Sequence, residues 1–351
     1  MKKASFVIAA VLALTSCNPE KFFSKGRESG KEQEKVEETS FSKGADISWI
    51  TEMESRGYKF HDASGNDREC TELLHSIGFN AVRYRVWVNP EGGWCSKEDV
   101  LAKALRAKCL GMKIMIDFHY SDWWADPGKQ NVPSQWKSLS VPQMAEAVAE
   151  HTRITLQYLK DNGIDVTWVQ VGNEVENGML WESGRVKGST AENFARYFNA
   201  GSAEVRQVYP LAKVILHISN AWKSETLTWF YDLMKANNVN YDMIGLSLYP
   251  SYWENGAYPD WTSKTQAAVN NFQTLHSLYG KDVMLVEFGM PASEPQKSAE
   301  CLEYIMENTS KYDWFKGIFF WEPESEESRM NYSYGAFKDG CPTAALDPFK
   351  Q

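Results

Sequence analysis

With 351 residues, 43% of them apolar, the chain has material for one large domain or two of average size. Acidic side chains outnumber basic ones 46 to 37, a formal charge of −9. That balance excludes a nucleic-acid backbone as partner, because holding phosphates takes a basic face.

The first element is not part of a fold. Lys2 and Lys3 precede an apolar run from Ala4 to Leu14. The run is too short to span a bilayer, and residues 1–16 read as a secretion signal. It ends in Leu14-Thr15-Ser16-Cys17, a small-residue cleavage site that resembles a bacterial lipobox and makes Cys17 the candidate lipidation site. An ordinary signal with a coincidental cysteine is the alternative. A lipid on Cys17 anchors a protein to a membrane without a spanning helix. Residues 17–43 then read as a flexible tether, rich in Lys, Glu, Ser and Gly and too poor in apolar side chains to bury a core. About 26 such residues reach on the order of 25–30 Å, which stands the folded part off the membrane. The acidic and lysine-rich residues after Cys17 point to a cell-envelope lipoprotein of the outer membrane, displayed at the cell surface.

Five cysteines lie beyond Cys17: Cys70, Cys95, Cys109, Cys301 and Cys341. None has CxxC spacing, which argues against metal ribbons and thioredoxin chemistry. An exported protein can form disulfides, but an odd count leaves at least one thiol unpaired. Cys109 sits in a helical pattern and reads as a buried small apolar residue.

From residue 44 the pattern alternates. Short β-branched runs at 44–48, 79–88, 113–118, 166–171, 213–218, 243–248, 283–288 and 317–321 predict eight strands. Helical patterns predict helices near 67–77, 97–110, 140–162, 190–209, 224–237, 264–279 and 295–308. The 140–162 helix is the clearest: Met144, Val148, His151, Thr155 and Leu159 share a face, and Asn162-Gly163 supplies a C-cap. Eight strands alternating with helices predict an α/β fold, a closed (β/α)8 TIM barrel in a single domain over 44–351. A doubly wound open sheet is the runner-up. It would carry a Gly-rich turn after its first strand, and "WITEMESRGYKF" offers no GxGxxG. After Trp321 no long helix is evident.

In such a barrel the active site lies at the C-terminal strand ends. The second strand delivers Arg83, Arg85 and Trp87. The third delivers Asp117, His119, Tyr120, Asp122, Trp123 and Trp124. The fourth ends in Gly172-Asn173-Glu174 with Trp181 beyond, and the fifth in His217, Asn220 and Trp222. The sixth ends in Tyr249, Tyr252 and Trp253, the seventh in Glu287, and the eighth in Trp321 and Glu322. Tryptophan follows six of the eight predicted strands on one rim. Rim indoles beside carboxylates suggest platforms for the apolar faces of sugar rings, and packing of loop on loop accounts for about half of them. Two carboxylates, Glu174 and Glu287, are what glycoside hydrolysis needs: one protonates the leaving oxygen, the other attacks or activates water.

On these residues a resemblance appears. Asn173-Glu174 and Glu287 resemble the fourth-strand acid and seventh-strand nucleophile of the clan A glycoside hydrolases. Within that clan "DFHYSDWWADPGKQNVPSQW" (117–136) is similar to the signature of glycoside hydrolase family 53, the arabinogalactan endo-β-1,4-galactanases. "GADIS" (44–48), "VRYRVWVNP" (82–90), "VGNEVENGMLW" (171–181) and "WEP" (321–323) agree. The resemblance implies a retaining enzyme that hydrolyses internal β-1,4-galactosyl bonds of pectic galactan to oligosaccharides. Glu174 would be the acid/base and Glu287 the nucleophile, with carboxyls about 5–5.5 Å apart. Arg83 would lie beside Glu287 and keep it ionised, with Arg85 a second candidate by strand alternation. Asn173 would bond the sugar's 2-hydroxyl, and Trp321 would form the floor. His119, His217 and Tyr249 match polar residues around that sugar. Tyr120, Asp122, Trp123 and Trp124 would sit at or just behind the groove wall, one of the two indoles packing under the loop, and Trp87, Asp122 and Trp124 are further candidates for binding substrate. Asp117 and His217 also fit a role in satisfying buried hydrogen bonds.

Bacterial relatives can hold a structural calcium after the eighth strand. Here that stretch offers Glu324, Glu326, Glu327 and Asp339 without a recognisable ligand spacing, and catalysis needs no metal. The expected partners are the polysaccharide and the membrane, for a monomer. A different clan A endoglycanase (a mannanase or cellulase) and a non-catalytic glycan-binding lipoprotein are the alternatives.

Overall fold

The computed structural model describes residues 41–350; the signal, Cys17 and all but the end of the tether lie outside the described residues. Eight strands close a barrel: β1 Ser42–Asp46, β2 Ala81–Val86, β3 Lys113–Phe118, β4 Trp168–Val171, β5 Lys213–Ile218, β6 Met243–Leu248, β7 Asp282–Phe288 and β8 Phe315–Trp321. Each pairs in parallel with its neighbours, β8 with β1 included. The expected (β/α)8 barrel is therefore the fold, and its first strand begins two residues before the expected boundary at 44.

Two apolar layers hold it. Inside, Ala81, Met115, Trp168, Ile215, Met243, Met284, Val286 and Phe319 fill the barrel. The Phe319 ring fits because β1 carries Gly44, where a Cβ would stand 2.3 Å from it. Outside, the alternate strand residues pack against the helices.

The helices are α1 Ile50–Ser55, α2 Cys70–Ile77, α3 Lys97–Cys109, α4 Val141–Asp161, α5 Ala191–Val208, α6 Ser224–Ala236, α7 Thr262–Tyr279, α8 Pro295–Thr309 and α9 Glu327–Met330. In α4, Ser140 and Gln143 form a capping box, and Met144, Val148, Thr155 and Leu159 face inward. α2 starts later than expected: Asp67–Arg68 pairs with Phe60–His61 as a hairpin, and Glu69 caps the helix by accepting from the Glu72 N–H. Cys109 is exposed, which corrects its reading as a core residue. The inner face of α3 is Val100, Leu101, Lys103, Ala104 and Ala107, and two residues past Ala107 is the far side of a helix. Cys70, Cys95 and Cys301 are buried thiols. After β8, a short 3-10 segment Ala344–Lys350 takes the place of a final helix. Its Phe349 stacks on Phe79 at 4.2 Å, at the N-terminal end of β2. Among the described residues no helix is long and apolar enough to cross a membrane.

Register sets up the barrel mouth. Asp46 pairs with Arg83, Asp117 with Gln170 and Ser247 with Glu287. Between Leu246 and Ser247 the β6–β7 register slips by one residue. This bulge lets Val286 fill the barrel while the next residue, Glu287, turns to the mouth, which strict alternation would forbid.

Candidate active site

At the centre of the mouth lies Arg83, fully buried. Its Nη1 meets Asp46 Oδ2 at 2.6 Å, and its Nη2 meets Asp117 Oδ2 at 2.9 Å and Glu287 Oε1 at 2.8 Å. Its Nε donates to Gln170 Oε1 at 2.8 Å, and its Nη2 also reaches Asn173 Oδ1 at 2.9 Å. The planar fork fixes its partners in position, as a flexible ammonium would not.

Glu287 is held from two sides: Arg83 on Oε1, and the Tyr249 hydroxyl donating to Oε2 at 3.2 Å. Burial raises its carboxyl and Arg83 pulls it back, leaving it at about 7. Among the described residues no cation pairs with Glu174. Burial first, then the neighbouring Glu287 and Glu176, push its carboxyl well above the usual range, against one hydrogen bond from Ser247. It is the group that keeps a proton. β4 delivers it on a tight turn, with Gly172 at φ 91° and Glu174 itself at φ 47°. A non-glycine residue in that left-handed region costs energy and marks functional sites. Burial also opposes the charge on Asp117, but Arg83 and His119 outweigh it and hold its carboxyl below the usual range. His119 Nδ1 accepts from the Ala125 N–H at 3.0 Å, so the proton is on Nε2 and faces Asp117 at 3.0 Å.

An aromatic box stands beside the carboxyls. Trp49 lies 5.2 Å from Trp321, 5.6 Å from Trp124 and 5.9 Å from Tyr332, and Trp321 is 4.7 Å from Tyr332. The cleft these groups share has a volume of about 810 Å³. Across it, beyond β5, stands Trp222, with Lys223 and Lys264 beside it.

Of the residues singled out in the sequence, His119, Trp124, Asn173, Glu174, Asn220, Trp222, Tyr249, Tyr252, Glu287 and Trp321 line this cleft. Arg83 and His217 lie directly beneath, Arg83 bonded to Glu287 and His217 to Ser247. Others lie elsewhere. Arg85 is fully buried behind the box, its guanidinium 4.2 Å from the Trp124 ring and 5.1 Å from Trp49 and paired with Glu322. It supports the aromatic wall rather than a sugar. Trp87 is buried behind His119, 4.7 Å from the half-exposed Trp123, so this pair packs the outside of the wall and Trp124 is the indole that faces the cleft. Asp122 accepts from the Ser134 N–H at 2.8 Å and hydroxyl at 2.7 Å, a loop tie. Trp181 is likewise packed under Arg185, at 3.7 Å.

Trp49, Tyr332 and Ser247 are cleft residues that sequence reasoning missed. Trp49 follows β1 closely, so the rule that found the other rim indoles would have found it. Tyr332 lies in the irregular segment after β8, where no period exists. Ser247 reads as an ordinary strand residue.

The calcium candidates do not converge. Glu324 is buried beside Glu322, and Glu326 accepts from the Asp339 and Gly340 N–H groups at 2.9 and 2.8 Å. Among the described residues no three His, Cys, Asp or Glu side chains gather as a metal site.

Residues 42–315 match the profile described as Glycosyl hydrolase family 53, the family to which the 117–136 stretch points. The chain is 33% identical over 260 residues to a probable arabinogalactan endo-beta-1,4-galactanase A of Neosartorya fischeri, covering 72% of this chain and 70% of that one. It is 32% identical over 316 residues to an endo-beta-1,4-galactanase of Bacillus subtilis, covering 81% and 70%. Among solved structures, one of two fungal beta-1,4-galactanases superposes with a TM-score of 0.80 at 26% identity, over 89% of this chain and 99% of that one.

Proposed function

The chain belongs to glycosyl hydrolase family 53, and we propose that it is a retaining endo-β-1,4-galactanase acting on pectic galactan. One observation carries the mechanism: two carboxyls share a cleft but have opposite neighbours. Glu287, on Arg83 and Tyr249, is the one that can ionise and attack. Glu174, buried beside Glu287 and Glu176, is the one that holds a proton. In the first step Glu287 bonds to the anomeric carbon while Glu174 protonates the departing oxygen. In the second, Glu174 takes a proton from water, whose oxygen displaces Glu287.

Trp49, Trp124 and Trp321 lie on one side of the mouth, and Trp222, after β5, lies across from β1. Sugar platforms on both sides of the cleaved bond suit cutting within a chain. The substrate reading rests on the relatives' activity. Galactan, mannan and β-glucan assayed side by side test it: reducing ends should appear from galactan, and release from mannan or glucan alone contradicts it.

We further propose that a lipid on Cys17 tethers the enzyme to the cell envelope, at the outer membrane with the barrel at the cell surface. The signal, lipobox-like stretch and polar segment after Cys17 support this.

A further inference from the structure

The hydrogen bonds beneath Glu174 run in one direction. They begin at Arg83, whose Nε donates to Gln170 Oε1 at 2.8 Å. That contact assigns the Gln170 amide, so its Nε2 is the donor, to Asp117 Oδ1 at 3.1 Å and toward His217 Nδ1 at 2.9 Å. The backbone N–H of Glu174 donates to the same ring nitrogen at 3.3 Å. Asn173 Oδ1, which accepts from Arg83 Nη2, also lies 3.1 Å from it. Two donors aim at Nδ1, so Nδ1 carries no proton and Nε2 does. Burial, then Arg83, holds the ring's basicity well below the usual range, which keeps His217 neutral. Its Nε2–H therefore donates to Ser247 Oγ at 2.7 Å. A hydroxyl that accepts there has its one proton left to donate, and Glu174 Oε1 lies 2.7 Å away.

We infer that Ser247 is a positioning residue for the acid/base: its hydroxyl, oriented by Gln170 and His217, keeps Glu174 Oε1 an acceptor and so places the catalytic proton on Oε2. The inference rests on the reading of Glu174 as acid/base. The arrangement serves both steps without reorienting. While Glu174 is protonated, Oε1 accepts from Ser247 and Oε2–H faces the departing oxygen. That proton moves to the oxygen as its bond to the anomeric carbon breaks and Glu287 forms the new one. Once Glu174 is ionised, the Ser247 bond stabilises the charge on Oε1, and Oε2 receives the proton of the attacking water. No proton travels through Ser247. Arg83 thereby acts on both carboxyls, directly on Glu287 and through Gln170, His217 and Ser247 on Glu174. The titratable groups that face Glu174 are Glu287 from β7, Glu176 from its own loop, Asp126 from the loop after β3, and His217 and Tyr249 from β5 and the end of β6. To these Ser247 adds a hydrogen bond that favours the charged form.

The test is the pH profile of kcat/KM on linear galactan for wild type, Ser247→Ala and Ser247→Thr. Removing the donor should lower the rate about tenfold and move the alkaline limb, where Glu174 loses its proton, upward by about 1 pH unit. Ser247→Thr, which keeps the hydroxyl, should restore both. In a Glu174→Ala background, Ser247→Ala should cost nothing more on a dinitrophenyl galactobioside, whose leaving group needs no acid. Wild-type turnover of galactan and its loss in Glu174→Ala carry the functional reading. With both in hand, an alkaline limb that stays in place, or an equal loss in both backgrounds, overturns this inference alone.

Discussion

Glu174 and Glu287 are the same side chain made into two reagents by what touches them. Burial raises both carboxyls, and only Glu287 has Arg83 against it. The acid limb of kcat/KM should therefore fall near 7, where Glu287 ionises. Tyr249→Phe removes a donor that favours the charged form of Glu287. Its acid limb should shift to higher pH by a few tenths of a unit, consistent with a modest hydrogen bond, and a downward shift in the measured profile would count against the assignment. The carboxyls and Arg83 were legible in the sequence because barrel geometry assigns strand ends to the site. Arg85 misled because alternation gives a face but not a depth, and it stops beneath the indoles; Asp122, in the loop after β3, is taken up by Ser134. The chain that ends in Ser247 was not legible, since it joins residues 83, 170, 217 and 247 only through closure of the barrel.

At the scale of elements, the long helices were legible where an apolar stripe ran for several turns, as in α4. The six-residue α1 buries only Ile50 and Met53, too few points to define a period. The segment after β8 has no period at all, yet it completes the barrel floor. Phe349 is fully buried against Phe79 at the end opposite the cleft. Phe349→Ala should lower unfolding free energy by about 3–5 kcal/mol, the usual cost of emptying a buried phenylalanine site. Denaturant titration reads that loss, and kcat on galactan should stay within about twofold because Phe349 lies at the barrel end opposite the mouth. A full loss of activity in a folded variant would mean that the tail shapes the cleft. The β6–β7 bulge is the opposite case, since alternation in the sequence argues against it and only the paired register reveals it.

For the whole molecule, eight alternations were enough to read the barrel, and a twenty-residue stretch, 117–136, was enough to read the family. The placement of the enzyme in the cell rests on the sequence before the barrel. Cys17→Ala should move the protein from the membrane fraction to the soluble fraction, and equal sedimentation of both forms would contradict lipid anchoring. The central claim is that Glu287 attacks and Glu174 protonates in a retaining cleavage of galactan. Proton NMR of linear β-1,4-galactan during digestion tests it most directly. Wild type should first release β-anomers of mixed-length oligosaccharides, and Glu287→Ala should release none. First release of the α-anomer, or near-normal turnover by Glu287→Ala, would contradict it.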